Sequence, residues 1–266
     1  MTTEKPKIFT HEYYQRLYDV EEKHWWCRGM RRIAEEIMEP YIRNRAQWRV
    51  LDAGCGTGAT LDWLRRIGFH GDHFGIDYAM DALRFCHSRR QPLMAQASML
   101  SLPFADNTFD FITCMDVLQH LPLPLGDVEG LREAHRVMRP DGLLLVRSNA
   151  RRIGDADKSQ EVDYRRYSLE ELENSLRSAG FDIERITYVN WLDAQRERLK
   201  PRKITKEIAS THVDHGLPLR LLPPHLSWMN GLRYAELATE ARYLRRKDRS
   251  LARGHSTLAL ARKVGG

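Results

Sequence analysis

The sequence predicts an α/β fold: a doubly wound, mostly parallel seven-stranded sheet with helices on both faces. Three observations carry this reading. Short apolar runs alternate along the chain with segments of helical periodicity, which is the pattern that βα units leave. The runs are apolar at successive rather than alternate positions, as strands covered on both faces are. A glycine-rich turn, Gly54 to Gly58, joins the first run to the helix after it.

The elements follow in order. Residues 11–47 read as helical, with aromatic and charged side chains mixed. Arg49–Ala53 is the first strand, Leu61–Ile67 a helix, His73–Asp77 the second strand and Ala79–Arg89 a helix. Leu93–Ala97 is a weaker strand, and Asp110–Met115 a fourth that is largely apolar. Asp127–Met138 is an amphipathic helix. Pro140-Asp141-Gly142 has the composition of a turn, leading into a fifth strand, Leu143–Ser148. Ser168–Ala179 is a helix whose start is written in the chain, because Ser168 can cap it and Glu171 completes a capping box. Gly180 ends it. Phe181–Tyr188 and Ser256–Arg262 are the last two strands. The stretch of about sixty residues between Asn190 and His255 is too long for a structureless connection, so an inserted helical cap is expected there. The expected organisation is therefore 1–47 helical, 48–190 core, 191–254 cap and 255–266 last core strand.

Composition excludes several classes. The 266 residues are 42% hydrophobic and 29% charged, which is ordinary for a globular protein. No apolar run reaches 18 residues, so no spanning helix is expected. Met1–Thr10 is polar and lacks the apolar core of a signal peptide. Cys27, Cys55, Cys86 and Cys114 are widely spaced, with no CxxC pair and no histidine pair at metal spacing. Neither a disulfide framework nor a metal site is expected, and a reducing, cytoplasmic location fits. The net charge of +6 is uneven, since residues 191–255 hold 14 basic and 7 acidic side chains. Such a region either attracts anionic partners or is a solvated helical face.

The segment Asp52-Ala53-Gly54-Cys55-Gly56-Thr57-Gly58 is the strongest functional signal. Gly54 permits a tight turn, Gly56 lets a ligand approach bare backbone, and Gly58 lets the next helix pack closely. Gly54, Gly56 and Ala59 also satisfy GxGxxG/A, with Asp77 at the end of the second strand as the matching acid. The glycines alone therefore do not separate NAD from another adenosine cofactor. Further features do. Asp52 stands two residues before the first glycine. Leu102-Pro103-Phe104 precedes Asn107-Thr108-Phe109-Asp110, and Arg132 to Gly142 reads REAHRVMRPDG. Over residues 48–190 the chain resembles the class I S-adenosylmethionine-dependent methyltransferases, which have a Rossmann-like core.

The resemblance implies a set of roles. Gly54, Cys55, Gly56 and Gly58 would pack against the methionine and ribose parts of S-adenosylmethionine, with Asp52 supporting the loop near the methionine amino group. Asp77 would accept hydrogen bonds from the ribose hydroxyls, as a carboxylate suits a vicinal diol. Tyr78 and Met99 would flank the adenine, and Met115 would lie beside the cofactor. Ser98 stands where the family often has an aspartate for the adenine amino group, so that contact would be uncharged here. His120, after the fourth strand, is a candidate general base or a structural histidine of its loop. The run His24-Trp25-Trp26-Cys27-Arg28-Gly29 resembles an N-terminal lid helix of bacterial members. Trp26 and Arg28 would then touch the cofactor's carboxylate end or the substrate, or the tryptophans merely staple the helix to the sheet. Tyr14, Arg165 and Arg166 are candidate acceptor contacts, the arginines with capping and ion pairing as the alternative. Ser256–Lys263 resembles the family's closing antiparallel strand.

The expected activity is methyl transfer to an O, N or C nucleophile of a small-molecule acceptor. An anionic acceptor would follow if Arg242, Arg245, Arg246, Lys247 and Arg249 steer it. Methylation of a peptide or RNA, and a non-catalytic cofactor-binding role, are the alternatives. The sequence argues against nucleic acid, since the cap has no basic run interleaved with stacking aromatics. A homodimer is left open.

Overall fold

The computed structural model describes residues 9–42, 44–91, 93–151, 165–199 and 224–264. Its strands are β1 (Val50–Ala53), β2 (His73–Asp77), β3 (Leu93–Gln96), β4 (Phe109–Met115), β5 (Met138–Asn149), β6 (Phe181–Val189) and β7 (Ser256–Lys263). They form one sheet in the order β3-β2-β1-β4-β5-β7-β6. β7 runs antiparallel to both β5 and β6, and the other pairings are parallel. From β1 the chain builds outward through β2 and β3, then crosses back to place β4 on the other side of β1. The strand order reverses between β1 and β4, which is where doubly wound sheets hold ligands.

The helices are α1 (His11–Val20), α2 (Trp25–Met38), α3 (Ala59–Arg66), α4 (Met80–Ser88), α5 (Gly126–Val137), α6 (Leu169–Ser178), α7 (Trp191–Leu199) and α8 (Ser227–Leu244). Successive side chains of a strand point to opposite faces, and β5 shows the result. Leu143 and Leu145 join Ile33 and Ile37 of α2, Leu61 and Leu64 of α3 and Leu237 of α8 in one core cluster. Leu144 and Val146 join Leu131 of α5 and Leu172 and Leu176 of α6 in the other. The inner strands, covered on both faces, therefore need apolar residues at most positions, which is why the sequence shows runs rather than alternation.

The Ser168 hydroxyl accepts a hydrogen bond from the Glu171 amide, and the Glu171 carboxylate accepts one from the Ser168 amide, so the capping box forms as expected. One expectation changes. The turn at Pro140-Asp141-Gly142 lies inside β5 rather than before it. Pairing with β4 passes from Phe109 opposite Met138 to Phe111 opposite Leu143, so the segment between bulges out. Asp141 takes φ +63° there, and Arg139 anchors the bulge on the Asp110 carboxylate at 2.8 and 2.9 Å.

Residues 11–47 resolve into α1, α2 and a short 3-10 turn at Arg45–Gln47. The expected cap contributes α7 and α8, while its residues 200–223 lie outside the described residues. α8 lies close on α2, because a Cβ at Gly29 would sit 2.3 Å from Leu237. Several of the cap's described charges are matched locally. Arg196 pairs with Glu236 and Arg233 with Asp193. Arg245 faces Glu36, Arg246 and Arg249 face Asp248, and Lys247 lies over the Tyr41 ring. Among the described residues no helix is long and apolar enough to cross a membrane.

Candidate active site

A cavity of about 470 Å³ opens at the carboxyl ends of β1, β2, β4 and β5, covered by α1 and α2. Its floor begins where β1 runs out. The amides of Gly54 and Cys55 both donate to the Ile76 carbonyl at 2.8 Å, which turns the chain away from the sheet. Gly54 has φ +86°, and a Cβ there would lie 2.2 Å from Val117. At Gly56, with φ +52°, a Cβ would meet nothing nearer than Leu17 at 3.9 Å. The loop therefore presents bare backbone to the cavity.

Asp77 is the best-supported polar group on the wall. One carboxylate oxygen accepts from the Gly56 amide at 2.9 Å, tying the loop to β2. The other accepts from the Ala79 amide at 2.9 Å and the Tyr14 hydroxyl at 3.4 Å. Burial pushes its pKa up against these donors. Tyr14 thus lines the cavity and is tied to Asp77 there. Tyr78 stands exposed beside it, edge-on to Phe9 at 6.2 Å. Ser98 and Met99 follow β3 along the same wall. The Ser98 hydroxyl accepts from the Leu100 amide at 3.2 Å, and the Met99 sulfur lies 3.5 Å from the Cys114 thiol. Cys55 also faces the cavity, its sulfur 3.7 Å from that of Cys86. Met115 and His120 line the β4 side, with the His120 ring 6.1 Å from that of Phe9.

Other expected residues stand elsewhere. Asp52 is 1% exposed and lies beneath the floor, where one oxygen accepts from Thr113 at 2.7 Å and the other has no hydrogen-bond partner within bonding distance among the described residues. Desolvation raises its pKa to about 7. Gly58 caps α3 behind the loop, close to Cys86. Arg28 is exposed and stacks over Tyr234 of α8 at 4.6 Å. Arg165 pairs with Asp127 and donates to the Pro124 carbonyl at 2.6 Å, bracing the loop after His120. Neither it nor Arg166 is on the cavity wall.

Several wall residues escaped the sequence reading. On α2 the wall is formed by Trp26, Cys27, Met30, Arg31 and Ala34, which is one helical stripe. Arg28 is out of phase with it, and Arg31 is in phase. Helical phase alone could have made that distinction. Glu21, at the end of α1, is 7% exposed and accepts from Thr57 of the glycine loop and from Arg89 at 2.9 Å. No local pattern marks it. Arg147 of β5 and Asp116 after β4 form an ion pair at 2.5 Å on the wall.

Comparisons with known proteins agree with this geometry. Residues 51–146 match the family described as a methyltransferase domain. The chain is 32% identical over 53% of its length to a 2-phytyl-1,4-naphtoquinone methyltransferase of Nostoc punctiforme, and the match spans 62% of that protein. It is 23% identical over 77% of its length to an uncharacterized protein of Methanocaldococcus jannaschii, covering 89% of that protein. Most of the other relatives are matched over about half of their own length or less. Among solved structures, the fold is similar to a Haloferax volcanii putative methyltransferase in complex with the Trm112 activator. The TM-score is 0.60 at 18% identity, covering 96% of each chain.

Proposed function

We propose, for a chain that belongs to the class I S-adenosylmethionine-dependent methyltransferases, that it moves the cofactor's methyl group to a small-molecule acceptor held over the ends of β4 and β5. The observation that carries this is Asp77, fixed by two backbone amides at one end of a continuous cavity that reaches Met115, Asp116 and Arg147.

The residues present fit the cofactor. The cavity is within the range of small-molecule sites, about 300–1,000 Å³. The backbone at Gly56 is bare, and a carboxylate stands beside it. Asp77 would accept from the ribose hydroxyls with the lone pairs its amide partners leave. Tyr78 and Met99 would flank the purine. Glu21, on the wall and tied to the glycine loop through Thr57, would meet the ammonium of the amino-acid end. When bound, the cofactor supplies a methyl group already activated on a sulfonium. The protein's part is then chiefly placement. Phe9, Tyr13, Tyr14 and Leu17 of the α1 region cover the cavity and would keep water from it. His120 would take the acceptor's proton where the nucleophile carries one. The basic stretch Arg242–Arg249 is not on the cavity wall, so steering of an anionic acceptor plays no part in this reading.

The reading is tested by calorimetry with S-adenosylhomocysteine and with NAD, followed by mass spectrometry of extracts incubated with deuteromethyl-labelled cofactor. Micromolar binding of S-adenosylhomocysteine, none of NAD, and a labelled small molecule are expected. Binding of NAD alone, or label found only in macromolecules, would sink it.

A further inference from the structure

Resting on the methyl-transfer reading, we propose that the acceptor is a flat, uncharged molecule anchored through a carbonyl or phenolic oxygen to Arg147. The strand order gives the cavity a direction. Asp77 ends β2, the glycine loop follows β1, and Asp116 and Arg147 stand at the ends of β4 and β5. Neighbouring strands are about 4.8 Å apart, so Arg147 lies roughly 14 Å from the Asp77 position. With the ribose at Asp77 and the amino-acid end on the loop, the space over β4 and β5 is what remains for the acceptor.

Arg147 is held there rigidly. Its side chain is 13% exposed. Nε donates to Asp116 at 3.2 Å and Nη2 at 2.5 Å, and the guanidinium lies 4.8 Å from the centre of the Trp26 ring. Trp26 is held in turn, its indole N–H donating to the Asn190 amide oxygen at 3.3 Å, while the Asn190 amide nitrogen donates to Asp193 at 3.0 Å. The Asp116 amide donates to the Arg147 carbonyl at 2.9 Å, with Asp116 at φ +60°. Among the described residues the hydrogen bonds of the Arg147 side chain go to Asp116 through Nε and Nη2, and Nη1, in a side chain on the cavity wall, has no partner. Donors in such a place call for an oxygen.

The charges decide which oxygen. Asp116 offsets Arg147, and the other wall guanidinium, Arg31, pairs with Glu22 at 3.1 Å. This end therefore offers N–H donors without a net positive charge. A carboxylate or phosphate leaving water needs an uncompensated cation. A carbonyl or phenol needs only the donor. Trp26, Phe9, Tyr13, Met30 and Met115 supply aromatic and thioether surface, which suits a planar body. Arg147 is thus a specificity-determining residue, and its stack on Trp26 sets the plane of the guanidinium.

The test uses the full chain saturated with S-adenosylhomocysteine and two probes that share one ring system, 2-naphthol and 2-naphthoate. Calorimetry should show 2-naphthol binding at least tenfold more tightly. Arg147→Met should weaken 2-naphthol about tenfold, the loss of one hydrogen bond to a charged group, with affinity for S-adenosylhomocysteine unchanged. Because Arg147→Met strands Asp116, the double variant Arg147→Met/Asp116→Asn and the charge-preserving Arg147→Lys are measured beside it. Retained S-adenosylhomocysteine binding reports that each folds. Naphthoate binding as tightly as naphthol, neither probe binding, or naphthol affinity untouched in the variants that fold would overturn the proposal while leaving the methyl-transfer reading standing. Failure of the unsubstituted protein to bind S-adenosylhomocysteine would overturn both.

Discussion

Over β1 and β2 the sheet edge meets the cavity through the bare backbone of the glycine loop and a carboxylate pinned by backbone. Gly56 presents its bare chain, and Asp77 is held by the amides of Gly56 and Ala79. All of this comes from 24 consecutive residues, Gly56 to Ala79. The helical cover is built differently. Phe9, Tyr14, Glu21, Trp26 and Arg31 reach the cavity as side chains of α1, α2 and the turns beside them. The cover is secured by contacts far apart in sequence, such as Glu21 on Thr57 and Arg89, Tyr14 on Asp77, and Leu237 against Gly29. The edge has little freedom because backbone geometry leaves few alternatives. The cover can change side chains and keep its packing. One half suits a cofactor of constant shape, the other an acceptor that varies.

The largest effect that would sharpen this contrast is expected at Gly54. Alanine there meets two obstacles, a left-handed φ and a Cβ 2.2 Å from Val117. Left-handed backbone costs about 1–2 kcal/mol and overpacking about 1–3. Urea unfolding of Gly54→Ala should therefore show a loss of about 3 kcal/mol, together with lost binding of S-adenosylhomocysteine. A variant that keeps both stability and affinity would show the edge to be as adaptable as the cover.

Asp77→Ala comes next. It removes the acceptor for two amides and the proposed ribose contact, so affinity for S-adenosylhomocysteine should fall by about 1.5–3 kcal/mol, the range for charged hydrogen bonds. Calorimetry checks this. Tyr14→Phe removes only the long hydroxyl contact from the cover and should change affinity by less than about 1 kcal/mol. Equal losses would erase the distinction between the halves.

These differences also explain what the sequence made legible. The strands, the glycine loop and the capping box at Ser168 could be read because each is decided by neighbours along the chain. The bulge at Asp141 could not, because it depends on how β5 meets β4. Arg28 stood out beside two tryptophans, yet α8 draws it to Tyr234, and only the phase of α2 separates it from Arg31. Glu21 and Arg147 carried no signal, since their partners lie 36 and 31 residues away. Asp52 was read as a loop support near the methionine amino group, and register sets it opposite Thr113, below the floor.

The third test concerns that buried carboxyl. In the folded chain Asp52 keeps its proton up to about pH 7, whereas the ordinary value is 3.8. Between those values the folded state binds more protons, so stability falls as pH rises, by up to about 1.4 kcal/mol per unit. His73 acts in the opposite sense. Burial lowers it from 6.5 to about 4, so over that window the unfolded state binds more protons and stability rises with pH. The two effects largely cancel below pH 6.5 in the unsubstituted protein. Asp52→Asn removes one of them and keeps an acceptor for Thr113. Between pH 5 and 7.5 its stability should gain on that of the unsubstituted protein by about 1–2 kcal/mol in urea unfolding. Parallel curves would mean that Asp52 is already ionised at pH 5, with the floor more polar than its burial implies.

The smallest effect is expected on the outside of the cover, and it is a gain. Gly231 lies in the second turn of α8, is exposed, and a Cβ there would meet nothing within 4 Å among the described residues. Its φ is not in the left-handed range, unlike that of Gly54. Glycine inside a helix is less favourable than alanine by about 0.5–1 kcal/mol, because it gives up more backbone freedom on folding. Gly231→Ala should therefore stabilise the protein by less than about 1 kcal/mol and leave binding of S-adenosylhomocysteine unchanged. Gly29, on the inner side of the same helix pair, is the internal control, since an added Cβ there collides with Leu237. Thermal unfolding of the two alanine variants should give shifts of opposite sign. A loss at Gly231 would mean that its outer face is packed against something, and that this part of the cover is as constrained as the sheet edge.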